Sequence, residues 1–189
     1  MREYPARARG LWVVPFAVAD FAVRRDRGRL KSRLIRAILG GLTRGQIAAL
    51  TRHFLDRHWT SLFHTQALAA LEGHRASGDR LVILSASIDH YVADIGARLG
   101  VAEVICTQLT WRGDRLEGAL ATPNRRGPEK TRCIEGLRLR HPGASFSAYG
   151  NSGSDIEHLV AVDAGVLVNG SAATRRRAAA LGLACVDWS

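Results

Sequence analysis

Ala148-Tyr149-Gly150-Asn151-Ser152-Gly153-Ser154-Asp155 is the stretch around which the chain is organised. An apolar run over 144–149 and a helical pattern over 156–162 flank it, which predicts a strand, a tight polar turn and a helix. In open α/β sheets, ligands bind where strands end and helices begin. Asn151 and Asp155 would place an amide oxygen and a carboxylate close together, and Mg²⁺ takes such oxygen ligands. Alternatively, the turn carries only helix-capping residues, since Asn, Ser, Gly and Asp are common in caps and turns.

The composition bounds the class of protein. The chain has 189 residues, 47% of them hydrophobic, which suffices for one domain with a real core and a small subdomain. The net charge is +10, and residues 1–60 hold 13 Lys and Arg against four Asp and Glu. Such a basic stretch suits nucleic acid, an anionic membrane face or phosphorylated substrates, or else it is a solvated helical surface.

Cysteine use and hydropathy indicate the compartment. Cys106, Cys133 and Cys185 show neither close pairing nor metal-ligand spacing, which predicts reduced thiols in a cytoplasmic protein and no zinc site. The apolar stretch over 11–23 contains Pro15 and Asp20 and is too short to span a bilayer. It also lacks a small-residue cleavage site. We therefore expect neither a transmembrane segment nor a signal peptide there.

The order of helical and strand patterns predicts the architecture. The first eighty residues are mostly helical in pattern, whereas short apolar runs alternate with helical segments after them. This alternation is typical of a right-handed, doubly wound parallel sheet. Gly113-Asp114 predicts a β-hairpin at about 107–120. We expect a helical region over residues 1–78 and an α/β core over residues 79–189.

Two more polar positions are expected at the edge of the sheet that carries Asn151 and Asp155. Ser85 follows the apolar run 81–84, and its hydroxyl and the next N–H groups would offer an anion site, unless Ser85 or Ser87 only caps a helix. Lys130 lies at the start of a predicted helix, where the helix dipole disfavours a positive charge. Binding of a phosphate by the Lys130 ammonium would explain a lysine at this position. A hydroxyl, an ammonium and two oxygen ligands together suit a phosphate beside Mg²⁺.

These positions resemble three motifs of the haloacid dehalogenase-like (HAD) superfamily, in its phosphoserine-phosphatase-like branch, subfamily IB. The LVILSAS run at 81–87 is similar to motif II, the GPEK run at 127–130 to motif III, and the YGNSGSD run at 149–155 to motif IV. The likeness covers nearly the whole chain. It implies a doubly wound, Rossmann-like core with an N-terminal helical cap, in which the GRLK stretch at 28–31 would lie.

The resemblance also implies a chemistry and a role for each site residue. The family hydrolyses small phosphomonoesters with Mg²⁺ through an aspartyl-phosphate. Ser85 and Ala86 would bind the phosphoryl group, and Lys130 would stabilise it as a catalytic residue. Asn151 and Asp155 would hold Mg²⁺, although the family usually has aspartate where Asn151 stands, which implies a weaker metal site. The helical cap would close the site and select the substrate.

One motif of the family is not found in this chain. Family members begin with the central strand of the sheet, which ends in D-x-D-G-T; its first aspartate is the nucleophile and its second a general acid and base. The 189 residues contain no such motif, and the candidate at residues 19–24 has alanine at the second aspartate position. We therefore expect an N-terminally truncated, inactive form, with a gap between the strands near Leu81 and Phe146.

The alternative to a phosphatase is a non-catalytic binding protein. Such a protein would bind phosphate-bearing ligands at the same site, or nucleic acid or an anionic surface through its basic N-terminal helices. The first sixty residues carry no recognisable DNA-binding motif, so we do not expect nucleic acid as the partner. The sequence gives no indication of the oligomeric state.

Overall fold

The computed structural model describes Pro15, residues 20–22 and residues 25–189, so most of the apolar stretch over 11–23 lies outside the described residues. The helices are α1 Arg27–Leu39, α2 Arg44–His58, α3 Thr65–Ala76, α4 Asp89–Arg98, α5 Pro128–Arg140, α6 Ile156–Val160 and α7 Ala172–Ala180. The strands are β1 Val82–Ile88, β2 Glu103–Thr107, β3 Leu109–Arg112, β4 Arg115–Leu120, β5 Ser147–Gly150, β6 Ala164–Val168 and β7 Ala184–Val186. In the part of the chain that is described, no helix is long and apolar enough to cross a membrane.

The first two complete helices begin at side-chain caps. The Asp26 carboxylate accepts hydrogen bonds from the backbone N–H groups of Gly28 and Arg29, at 2.9 and 3.0 Å, and starts α1. Thr43 and Gln46 form a capping box at the start of α2, in which each side chain accepts from the backbone of the other. These caps fix where the two basic helices begin and therefore where their side chains point.

The strands form the predicted parallel architecture. β1 pairs with β2 in parallel, and β5, β6 and β7 form a parallel sheet in that order. β3 and β4 form an antiparallel hairpin, as the Gly113-Asp114 turn predicts. The mixed α/β fold with parallel, Rossmann-like sheets is thus confirmed.

Within the described residues, β1 and β5 do not pair with each other, and each heads a separate sheet. The apolar run at β1 predicts a strand buried on both faces, yet every residue of β1 is only half-buried. On β5, the Tyr149 side chain is 42% exposed. Both observations have one reason: among the described strands, each of these two has a partner along one edge only.

The hairpin packs on the helices of the N-terminal region. Ile35, Leu42 and Ile47 of that region form one buried cluster with Leu109 and Leu116 of the hairpin. Two backbone hydrogen bonds join the parts: the Gly41 N–H donates to the Leu116 carbonyl at 2.8 Å, and the Leu116 N–H donates to the Leu42 carbonyl at 2.9 Å. A second cluster, centred on β6 and α7, forms the core of the other sheet. The predicted division at residues 78 and 79 stays a prediction.

Candidate active site

Ser85 lies in a bulge of β1. Ser85 pairs with Cys106 and Ile88 pairs with Thr107, so two extra residues of β1 lie between consecutive positions of β2. Bulges of this kind bend a strand and re-aim its side chains, often beside active sites. The Ser85 Oγ accepts a hydrogen bond from the Ser87 N–H at 3.1 Å, which closes the bulge on itself.

The strand that was expected to end at Ser85 continues further, whereas the helix expected from Ile88 begins within one residue of that position. β1 continues to Ile88, and α4 begins at Asp89 with no side-chain cap. The strand continues because the Ala86 carbonyl is held from the side by the Thr107 hydroxyl at 2.9 Å. Neither Ser85 nor Ser87 therefore caps a helix. Any anion at Ser85 would meet the bulge rather than a helix N-terminus.

Lys130 and Asp155 meet in a nearly buried ion pair. The Lys130 Nζ donates to the Asp155 Oδ1 at 2.7 Å, and the two side chains are 14% and 7% exposed. Lys130 lies in the first turn of α5, where the helix dipole disfavours a cation, and the Asp155 carboxylate offsets that charge. The structure thus brings together two of the three predicted positions.

Asp155 also closes the turn that precedes it. Its Oδ2 accepts from the Asn151 N–H at 3.2 Å, the Ser152 N–H at 3.0 Å and the Ser152 hydroxyl at 2.8 Å. Its carboxylate makes no capping bond to α6, so helix capping does not explain this residue. Burial alone would raise the pKa of Asp155, but Lys130 and Ser152 outweigh it and hold the pKa below its usual value.

Gly150 makes this turn possible by its size. A Cβ at position 150 would lie 2.7 Å from the Asp155 Cβ, which is closer than atoms approach without a shift. The turn is also supported from α3, because the His74 Nε2 and the Tyr149 hydroxyl are 2.9 Å apart. The position of Asp155 is therefore set by backbone close to it and by a helix more than seventy residues earlier.

His158 lies against the Lys130–Asp155 pair. It is 3% exposed, and its Nδ1 is 3.9 Å from the Asp155 Oδ1 without a hydrogen-bond partner in the described structure. Burial and the charge of Lys130 lower the pKa of His158 to about 4, although Asp155 opposes them. The imidazole is thus neutral at pH 7 and does not compete with Lys130 for the Asp155 carboxylate.

The low pKa of His158 predicts a loss of stability in mild acid. Below pH 6.5 the unfolded chain binds a proton at this histidine and the folded chain does not, so the free energy of unfolding falls until about pH 4. This histidine contributes about 3 kcal/mol to that fall. Urea denaturation between pH 7 and pH 4.5 checks it, and His158→Gln should remove this part of the slope. The control is His53→Gln, at an exposed position. If the free energy of unfolding depends on pH equally in His158→Gln and in His53→Gln, the prediction is wrong.

Lys31, Thr107 and Asn124 belong to the site although the sequence gives no signal for them. The Lys31 ammonium donates to the Ala86 carbonyl and to the Asn124 side-chain oxygen. The fully buried Thr107 hydroxyl donates to the same Ala86 carbonyl and accepts from the Arg125 N–H at 3.1 Å. These bonds tie the bulge of β1 to α1, to β2 and to the loop before Lys130.

The described residues do not by themselves fit Mg²⁺. Among them, no group of three or more His, Cys, Asp or Glu side chains could share a metal ion. Both Asp155 oxygens are already engaged, and Asn151 is exposed and offers only a neutral oxygen. Mg²⁺ needs several hard oxygen ligands in octahedral geometry. The metal site predicted at Asn151 and Asp155 therefore stays a prediction, and we assign no chemical step to a metal.

A cavity of about 470 Å³ lies elsewhere, between α1 and β4. Its described lining includes Arg29, Arg33, Arg36 and Leu120. Asp20 pairs with Arg29 and Arg33 at 3.6 and 3.3 Å, so this aspartate lies in the helical region and not at the end of a strand. None of the predicted site residues lines the cavity, and we do not assign it to the chemistry.

The haloacid dehalogenase-like hydrolase family has a sequence model that matches residues 2–159 of this chain. The chain belongs to the haloacid dehalogenase-like hydrolase family. Protein CicA of Caulobacter vibrioides is 35% identical to it over 152 residues, which cover 78% of this chain and 66% of CicA. The chain thus spans slightly less than two thirds of that relative.

Solved structures share the fold at low sequence identity. A protein of unknown function from Bordetella pertussis Tohama I superposes with a TM-score of 0.80 at 20% identity, covering 92% of this chain and 80% of that one. A probable phosphoserine phosphatase from Vibrio cholerae superposes with a TM-score of 0.68 at 12% identity, covering 94% and 56%. The predicted HAD membership, with a phosphoserine-phosphatase-like fold, is confirmed.

Proposed function

We propose that this chain binds the phosphoryl group of a small phosphomonoester between the bulge at Ser85 and the Lys130 ammonium. The observation that carries the proposal is the Lys130–Asp155 pair, at 2.7 Å, at the end of β5. A nearly buried ammonium that is held in place by one carboxylate oxygen still has donors for a phosphoryl oxygen. α5, which carries Lys130, packs against β1, which carries Ser85.

In the proposed reaction, each residue acts on the phosphoryl group in a distinct way. The Ser85 hydroxyl and the Ala86 backbone hold one oxygen, and Lys130 offsets the charge that develops during transfer. Asp155 positions Lys130. The attack on phosphorus would need an aspartate that the 189 residues do not supply, and a general acid that gives the leaving oxygen its proton so that the alcohol departs. Water would then hydrolyse the aspartyl-phosphate, release phosphate and regenerate that aspartate.

The proposal also includes a subfamily, a kind of substrate, a metal and a location. Subfamily IB, a small phosphorylated substrate and the helical cap as substrate selector come from the three motif likenesses. If Asn151 and Asp155 take part in a Mg²⁺ site, a further carboxylate must join them from outside the described residues. The three free cysteines support a cytoplasmic location. No particular observation favours nucleic acid as a partner, so we do not propose it.

Binding of inorganic phosphate to the 189-residue chain tests this proposal. Isothermal titration calorimetry is expected to show binding that weakens about tenfold in Ser85→Ala, because a hydrogen bond to a charged group is lost. Ser145→Ala, at an exposed position, is the matched control. Since the described residues do not form a metal site, Mg²⁺ should change this affinity by less than about twofold. Equal affinities for the two variants would contradict the placement of phosphate at Ser85.

A further inference from the structure

Lys31 is one of only two lysines in the chain, and the other is Lys130. Arginine takes every other basic position, so both compact cations of this protein reach the proposed site. Lys31 reaches it from α1, through its bonds to the Ala86 carbonyl and to Asn124. An ammonium has three N–H donors, and these two bonds leave one without an acceptor among the described residues.

Lys31 also has an unusual electrostatic environment. It is partly buried, its described hydrogen bonds go to the neutral oxygens of Ala86 and Asn124, and no described carboxylate forms an ion pair with it. Burial first, and then the nearby Arg126, lower the pKa of Lys31. Arg126 likewise has no ion pair with a described carboxylate. Two neighbouring like charges repel, and a bound anion would relieve that repulsion.

Other basic side chains of the α/β part show the contrast. Arg125 and Arg132 share Glu129, while Arg80 and Arg140 share Glu103. Lys130 has Asp155. Lys31 and Arg126 thus have no described counter-ion. Lys31 donates to the Ala86 carbonyl, one residue from Ser85, and to the Asn124 side chain. The Arg126 N–H donates to the Asn124 carbonyl at 2.6 Å, which places Arg126 next to the residue that holds Lys31.

We propose that Lys31 and Arg126 form an anion subsite beside the bulge of β1, and that the substrate is a phosphomonoester carrying a second negatively charged group. This inference rests on the proposed function, because it places the second group next to the phosphoryl group at Ser85. Asn124 fixes the Lys31 ammonium, so the charge is pre-organised and little is lost in ordering it on binding. The second group is a carboxylate or another phosphate, which share this chemistry.

The test compares three probes at one ionic strength by calorimetry: ethyl phosphate, phosphoglycolate and ethane-1,2-diyl bisphosphate. The two probes with a second anionic group are expected to bind about tenfold tighter than ethyl phosphate. Arg126→Gln should reduce that ratio of affinities at least about threefold, because it weakens the binding of ethyl phosphate less than the binding of the two other probes. Tighter binding of phosphoglycolate than of the bisphosphate would identify the second group as a carboxylate, and the reverse order would identify it as a phosphate.

Three further variants make the test decisive. Lys31→Met should abolish the tighter binding of the two probes with a second anionic group, and Lys31→Arg should retain most of it. Arg176→Gln makes an equal charge change at an exposed position of α7 and should leave this difference in affinity intact. If Lys31→Met does not fold, the exposed Arg126 carries the test alone. Ethyl phosphate bound as tightly as the two probes with a second anionic group, or a ratio of affinities unchanged in Arg126→Gln, overturns the subsite alone. Failure of inorganic phosphate and ethyl phosphate to bind at all overturns the proposed function and the subsite with it.

Discussion

Replacement of Asp155 by alanine is expected to lower the free energy of unfolding by about 3–5 kcal/mol, since removing one partner leaves an uncompensated buried charge. Lys130, only 14% exposed, would lose the carboxylate that it is paired with. The N–H groups of Asn151 and Ser152 would lose their acceptor in the same substitution. A buried donor without a partner costs more than an ordinary hydrogen bond gains.

Urea denaturation at pH 7 measures this loss. The control is Asp56→Ala, because Asp56 pairs with Arg98 at 2.6 Å but is 58% exposed. Exposed pairs contribute at most about 1 kcal/mol, since water and salt screen them. The double variant Lys130→Met with Asp155→Leu should recover much of the loss, because no charge then stays buried. If Asp155→Ala costs no more than Asp56→Ala, the pair does not hold the turn in place.

The presence of Lys130 and Asp155 at one edge of the sheet could be predicted, although their ion pair could not, because the place of each follows from local pattern and topology. A strand run followed by a polar turn places Asp155 at the carboxyl end of β5, and a GPEK run starts the helix that brings Lys130 there. Parallel strands end at the same edge of a sheet, so distant turns meet. The family likeness rests on these same positions and has the same physical basis.

The bulge at Ser85 could not be predicted in the same way. Its geometry depends on the Thr107 hydroxyl and the Lys31 ammonium, which lie 21 and 55 residues away in sequence from Ala86. No local pattern marks a threonine or a helical lysine as a support for another strand's carbonyl. The environment of His158 is equally non-local, because Lys130 belongs to a different helix. Side-chain bonds of high sequence separation are set by tertiary packing, not by periodicity.

The 189-residue chain is expected to bind phosphate but to hydrolyse no phosphomonoester at a measurable rate. Phosphate release from p-nitrophenyl phosphate, with and without Mg²⁺, measures this. The physical reason is the state of Asp155, whose oxygens accept from Lys130 and from the turn 151–152 and so are not available for attack. No D-x-D-G-T occurs in the 189 residues, and Asp20 pairs with arginines of α1 instead.

A chain in which a strand ending in D-x-D-G-T precedes residue 25 tests the reason for this inactivity. β1 and β5 each keep one edge unpaired among the described strands. The resemblance to the family implies that such a strand would lie between them, with its first aspartate near Ser85 and Lys130. Turnover is expected in that chain and is expected to disappear when asparagine replaces the first aspartate, because the amide is not a nucleophile. Turnover by the 189-residue chain itself, lost in both Ser85→Ala and Lys130→Met, would show instead that this site is active without such a strand.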